Sequence, residues 1–222
     1  MTSPASAPPA IAELTRRYLD AALVGNRREA LRLVIEEGIE RGVAVPELYL
    51  HVIQPAQFEV GRRWQANEIS VAQEHVATAV SQLVVSHLYH HIDRATPNGR
   101  LVLVACAQGE LHELGARLAA DFLEMSGFNV VFLGANVPAG SLVRMVQQMK
   151  PDLVIISAAT TLCFPGLRDM VKALREAQAD LPVAIGGSAF TWAEQCAVEG
   201  VVPGGGSAGE LVDVARRLTG LA

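Results

Sequence analysis

From Ile11 to about Ile92 the apolar residues recur at intervals of three and four, with no stretch of strict alternation, and this pattern predicts a bundle of amphipathic helices. Four are expected. The first runs from Ala10 to Val24 and stops at Gly25-Asn26; the second covers Arg27 to Arg41 and stops at Gly42. The third opens near Pro46, a residue suited to the first helical turn, and reaches Trp64. Pro55 should kink it, because a proline inside a helix removes one hydrogen bond and crowds the preceding turn. The fourth begins at Ser70, where Ser70-Val71-Ala72-Gln73 has the form of a capping box, and extends to Ile92.

After the polar linker "DRATPNGR" the period changes. "RLVLVAC", "NVVFLG", "DLVIISA", "PVAIGG" and "GVVPGG" are compact apolar runs, and helical stretches follow at Glu113 to Ser126, Ala139 to Met149, Pro165 to Ala177, Thr191 to Val198 and Ala208 to Leu218. Strands that alternate with helices and carry continuous apolar runs belong to a parallel sheet covered on both faces. The expected architecture is therefore α plus α/β: a flexible arm over residues 1–9, a four-helix bundle over 10–93, and a flavodoxin-like, doubly wound five-stranded parallel sheet over 99–222. In such a sheet ligands lie at the carboxyl ends of the strands, where strand order reverses. The glycine- and serine-bearing loops "AQGELHELG", "SAATTLCFPG", "GGSAF" and "PGGGSAG" all fall on that edge.

Composition narrows the function. Half of the 222 residues are apolar, enough for a substantial core. A net charge of −5 without any lysine-arginine cluster argues against direct nucleic-acid binding. Cys106, Cys163 and Cys196 lack metal-ligand spacing and read as reduced, buried residues of a cytoplasmic protein. The opening "MTSPASAPPA" has neither the charge nor the apolar stretch of a signal peptide, and no apolar run reaches the ~18 residues of a membrane span. A GxGxxG fingerprint is missing after the first strand, which disfavours an ordinary NAD site. No serine-histidine-acid arrangement appears, and Ser188 has no base nearby, so the chain is expected not to be an enzyme. His51, His87, His90 and His91 have no motif around them and read as solvated or packing residues.

Glu110-Leu111-His112-Glu113-Leu114-Gly115 resembles the Asp-x-His-x-x-Gly loop of cobalamin-binding domains, with Glu at the position of the usual Asp. Ser157 and Gly186-Gly187 match that family's later Ser-x-Leu and Gly-Gly signatures, although Ala159 stands where leucine is usual. The resemblance implies that His112 is the lower axial ligand of cobalt while the cofactor's dimethylbenzimidazole tail swings into a slot beside the sheet. Glu110 is then the carboxylate partner of the imidazole, with Ser157 as a further link. Gly115, Ala159, Thr160, Gly186 and Gly187 complete the expected cofactor-binding set.

In the helical half, Trp64 is followed after nine residues by Glu74-His75. This resembles the Trp-x9-Glu-His signature of light-sensing, adenosylcobalamin-binding proteins related to the CarH regulators. In those proteins a four-helix bundle sits above the corrin and the tryptophan covers the adenosyl group. The alternative is that Trp64 continues the core stripe of Val52, Ala56 and Val60, and that Glu74 is a favourable charge near a helix start. Two departures stand out. The family's full-length regulators begin with a MerR-like DNA-binding domain, and this chain has no room for one before its bundle, so an effect on transcription is expected to pass through a regulatory protein partner. Gln65 stands where the sensors carry a second cobalt-ligating histidine, and a carboxamide is a far poorer ligand.

The resemblance thus implies a light sensor binding adenosylcobalamin, with a light-dependent homo-oligomeric state. A corrinoid subunit of a methyltransferase system, loaded with methylcobalamin, is the alternative. A flavodoxin-like module for another nucleotide leaves His112 without a role.

Overall fold

The computed structural model describes residues 9–192 and 201–221, and the chain divides into two compact units between Ile92 and Asp93. Among the described residues no helix is long and apolar enough to cross a membrane.

The first unit is helical. α1 (Pro9–Leu23) and α2 (Arg27–Glu36) meet at Gly25, whose left-handed φ of 71° makes the reversal, and Asn26 caps α2 by accepting from the Glu29 N–H. The second helix ends five residues before the expected Arg41, with a 3-10 turn over Ile39–Arg41 behind it. Gly38 explains the break: a β-carbon there would lie 2.3 Å from the Val34 carbonyl oxygen and 2.9 Å from Leu48. Only the bare backbone fits, so chain direction changes at that point.

The third run is continuous from 45 to 65. α3 (Val45–Leu48) widens into a π turn over Tyr49–Ile53 and tightens again into α4 (Gln54–Gln65). Pro55 accounts for the irregularity. It has no N–H for the His51 carbonyl four residues back, and the Thr15 hydroxyl of α1 takes that acceptor at 2.6 Å. α5 (Val71–Leu88) opens with the expected capping box, Ser70 Oγ accepting from the Gln73 N–H and Gln73 Oε1 accepting from the Ser70 N–H. Leu33, Leu48, Ile53, Val84 and Leu88 fill the core, together with Tyr18 and Tyr49.

The second unit is a five-stranded, wholly parallel sheet of order β2-β1-β3-β4-β5, built from β1 (Leu101–Cys106), β2 (Asn129–Phe132), β3 (Leu153–Ser157), β4 (Val183–Gly186) and β5 (Val202–Pro203). Alternate strand residues feed two cores, as expected of a sheet covered twice. Leu103, Ala105, Val154, Ile156 and Val183 pack with α7 (Ala139–Met149) and α8 (Phe164–Ala177). Val102, Val104, Leu153, Ile155 and Ala184 pack with α6 (Leu114–Met125) and α10 (Ala208–Leu218) on the other face. α9 (Ala189–Trp192) starts two residues before the expected Thr191, and the remainder of that predicted helix lies outside the described residues, as do Cys196 and the N-terminal arm apart from Pro9. The strand order reverses between β1 and β3, so the crevice at their carboxyl ends is where this architecture receives a ligand.

Candidate cobalamin site

Register places Cys106, Ser157 and Gly186 in one row, the last residues of β1, β3 and β4. The loop leaving β1 is braced from several sides. The Ala107 N–H donates to the Ser157 carbonyl at 2.8 Å, extending the ladder by one residue. Gly109 turns with a φ of 89° and gives its N–H to Asn136 Oδ1 at 2.8 Å, while the Asn136 N–H returns to the Glu110 carbonyl at 2.8 Å. α8 presses close: a β-carbon on Gly166 would stand 2.2 Å from the Gln108 carbonyl oxygen.

That brace carries Glu110 into the interior, where it is 1% exposed. One carboxylate oxygen accepts from the His112 backbone N–H at 2.9 Å and from His112 Nδ1 at 2.5 Å. The other accepts from the Ala159 and Thr160 N–H groups at 2.7 and 3.0 Å. Burial pushes the carboxyl up, but the imidazole and the backbone donors outweigh it and hold Glu110 down at about 2. The group is therefore a carboxylate at neutral pH and can only accept. His112 Nδ1 must then carry the proton, so in the neutral ring the lone pair is on Nε2. The His112 side chain is 56% exposed, on the carboxyl edge of the sheet.

One expectation is revised by this geometry. Ser157 is not the further link to Glu110; the amides of Ala159 and Thr160 take the second oxygen, because the loop after β3 turns its N–H groups toward the buried charge. The backbones of Ala159 and Thr160 thus hold the Glu110 carboxylate in place. The glycines differ in kind. Gly187 has a φ of 111°, and a β-carbon there would meet the Ala158 carbonyl oxygen at 2.2 Å, so it secures the contact between the β3 and β4 loops. Among the described residues nothing lies within 4 Å of a β-carbon added at Gly115 or Gly186. The sequence reading missed Asn136, whose brace has no motif, and Leu111 and Leu162, which stand 71% and 88% exposed beside the β1 and β3 loops.

Cys106 lies against this loop, its sulfur 4.0 Å from the His112 carbonyl oxygen. Burial, with Glu110 and Glu113 adding to it, pushes its thiol up to about 12. Cys106 is also fully buried, whereas the His112 side chain is exposed on the sheet edge. Among the described residues no group of three or more His, Cys, Asp and Glu could hold a bare metal ion.

In the helical unit, Val52, Ala56 and Val60 are at most 1% exposed, whereas Trp64 is 44% exposed at the end of α4. The indole thus leaves the core stripe it would continue by spacing. Glu74 and His75 stand in the first turns of α5; His75 Nδ1 lies 2.5 Å from Glu74 Oε2, with His75 mostly exposed and Glu74 half-buried. A pocket of about 530 Å³ is lined by Val24, Gly25, Arg27, His75, Val76, Ala79 and Val80. It includes His75 but neither Trp64 nor Glu74 in its wall.

A parallel sheet that offers one oriented imidazole at its switch point, with open space among the described residues over Gly115 and Gly186, fits a metal that arrives inside its own macrocycle. The chain belongs to the B12-binding domain family: residues 100–211 match the family model for the B12 binding domain, and residues 14–89 match a second model of that description. It is a cobalamin-binding protein. The sequence is 34% identical over 183 residues to the HTH-type transcriptional repressor CarH of Myxococcus xanthus, covering 80% of this chain and 59% of that protein. It is 26% identical over 171 residues to the trimethylamine corrinoid protein of Methanosarcina barkeri, covering 73% and 78% of the two chains. The fold is shared with the monomethylamine corrinoid protein of Methanosarcina barkeri, with a TM-score of 0.79 at 22% identity over 93% of this chain and 98% of that one. The chain thus spans about three-fifths of the length of the CarH repressor it matches.

Proposed function

We propose that this protein is a light sensor that holds adenosylcobalamin through His112 and passes its state to self-association or to a regulatory partner. When bound, the cofactor supplies visible-light absorption and a cobalt–carbon bond that light breaks. The chain's own residues supply the rest. His112 would offer Nε2 to the cobalt, with Glu110 fixing its tautomer and orientation. Trp64, Glu74 and His75 are assigned to the adenosyl group, the indole as an apolar cover and the carboxylate as an acceptor for hydroxyl donors. Gly115 and Gly186 leave room for the nucleotide tail.

The observation that carries this reading over a plain corrinoid carrier is Trp64: a large apolar side chain 44% exposed in a helix whose preceding stripe is buried, ten residues ahead of Glu74-His75. Its likeness to the CarH repressor supports it. Protein purified in darkness with adenosylcobalamin should change its absorption spectrum and its elution volume after green illumination. A spectrum that changes while elution stays constant would remove the signalling half.

The methylamine corrinoid proteins favour a second reading, a methyl carrier serving a methyltransferase, since the trimethylamine protein aligns over 78% of its own length. Such a carrier has no use for Trp64. It should bind methylcobalamin at least as tightly as adenosylcobalamin, and Trp64→Ala should not alter that ratio.

A further inference from the structure

The short loop that leaves β2 does more than return the chain to α7. Four hydrogen bonds join it to the loop that carries His112, and they run in opposite order along the two segments. The Ala139 N–H, at the start of α7, donates to Gln108 Oε1 at 3.3 Å. The Gly109 N–H donates to Asn136 Oδ1 and the Asn136 N–H to the Glu110 carbonyl, both at 2.8 Å. The Ala135 N–H donates to Glu113 Oε2 at 3.0 Å. His112 therefore stands between two fastened residues, Glu110 held by Asn136 and Glu113 held by Ala135.

Asn136 is the centre of this clasp, and both its backbone and its side chain are committed to it. Its φ of 49° lies in the left-handed region that most side chains avoid. Glycine would accept that backbone and keep the N–H, but it has no oxygen for Gly109. Alanine lacks the oxygen and resists the conformation as well. Asparagine and aspartate combine a short side-chain acceptor with tolerance of a left-handed backbone. The effect reaches His112 through Glu110, which is fixed at three points. Its N–H donates to the Ala107 carbonyl at 2.9 Å, its carboxylate accepts from the Ala159 and Thr160 amides, and its carbonyl accepts from Asn136. That carbonyl belongs to the peptide leading into Leu111, so the bond from Asn136 sets the direction in which the chain departs toward His112.

We propose that Asn136 is a positioning residue for His112, holding the loop so that the imidazole is offered in one orientation and one tautomer before any ligand arrives. Order present in advance removes part of the entropy that binding would otherwise cost. That the oriented Nε2 meets cobalt rests on the function proposed above; the order itself is a property of the chain without cofactor.

The test compares wild type, Asn136→Gly and Asn136→Asp, first without cofactor. Backbone 15N relaxation of residues 109–113 reads the order of the loop, and the side-chain 15N resonances of His112 read its tautomer. Asn136→Gly should loosen the loop and turn a single Nδ1–H tautomer into a mixture, whereas Asn136→Asp should keep both as in wild type. Hydrogen exchange of the Val104 and Ile155 amides is measured alongside, because a role in sheet stability alone would speed exchange there and leave the His112 resonances in place. With adenosylcobalamin, Asn136→Gly should bind about fivefold more weakly than wild type, the factor that one net hydrogen bond corresponds to, and Asn136→Asp should stay within about twofold. Unmoved loop and His112 signals in Asn136→Gly would overturn the proposal, and so would unchanged affinity beside a loosened loop. Should that variant fail to fold, Gln108→Ala opens the same clasp at an exposed side chain and should move the same signals by less; no movement would again overturn it. Failure of the proposed function looks different: His112→Ala would leave cobalamin binding unaltered while the loop still responds to position 136.

Discussion

Replacing Glu110 by glutamine removes a charge and keeps the shape, so its effect can be worked out from the four hydrogen bonds. The carboxylate accepts from two donors on each oxygen. A carboxamide has one oxygen, so its NH2 confronts the Ala159 and Thr160 amides if turned one way, and if turned the other way it confronts the His112 backbone N–H and forces the ring toward its other tautomer. A carboxyl held at about 2 instead of 4.5 corresponds, at about 1.4 kcal/mol for each pH unit, to about 3 kcal/mol of folding stability. Because the residue is 1% exposed, solvent screening removes little of this. The lost bonds, each charge-assisted and worth about 1.5–3 kcal/mol, give a similar sum. We expect Glu110→Gln to destabilise the sheet unit by about 3 kcal/mol at pH 7. The sign with pH follows from a depressed folded pKa: the advantage of wild type is full above about 4.5 and is lost as pH falls toward about 2. Native-state hydrogen exchange of the Val104 and Ile155 amides, central in β1 and β3, reads the stability of this unit alone. The His112 ring nitrogens, by 15N NMR, should change from a single Nδ1–H tautomer to a mixture. A loss below about 0.5 kcal/mol, the size of an ordinary surface substitution, would refute the role given to the carboxylate.

Other outcomes follow from the same geometry. His112→Ala should keep the fold and lose the histidine-ligated cobalt spectrum, read by absorption on reconstitution; an unaltered spectrum would assign the ligand elsewhere. Gly187→Ala should cost about 2 kcal/mol or more by urea unfolding, since its backbone is left-handed and its β-carbon meets a carbonyl, whereas Gly186→Ala should fold normally and weaken cofactor binding. Tyr18→Phe should lower the stability of the bundle by about 1 kcal/mol in thermal unfolding, the net worth of one buried hydrogen bond. Trp64→Ala should lower the melting temperature less than truncation of a fully buried aromatic would, because the residue is 44% exposed, and should reduce the preference for adenosylcobalamin over methylcobalamin in titrations.

Much of this molecule was legible from residue order because the signals are local. Apolar spacing of three and four, followed by compact apolar runs, separates a helical half from a parallel sheet, and Ser70 with Gln73 marks a helix start through bonds that span three residues. The carboxyl-edge loops could be placed because strand direction alone decides which connections meet there. The early end of α2 could not be read, since it depends on Leu48 approaching Gly38 from another helix. Nor could the π turn be foreseen, for the acceptor freed by Pro55 is satisfied by Thr15, 36 residues earlier than His51.

The candidate site divides in the same way. The order Glu110-x-His112, through its resemblance to the cobalamin-binding loop, pointed to this imidazole and to the carboxylate beside it. Tertiary structure decided that the carboxylate is buried and ionised, because its second oxygen needs amides from a loop 49 and 50 residues away. It also decided that Trp64 leaves the stripe of Val52, Ala56 and Val60, which spacing alone would have continued. Periodicity tells which residues share a face, but burial depends on whether another element arrives to cover it, and that is a property of the assembled fold.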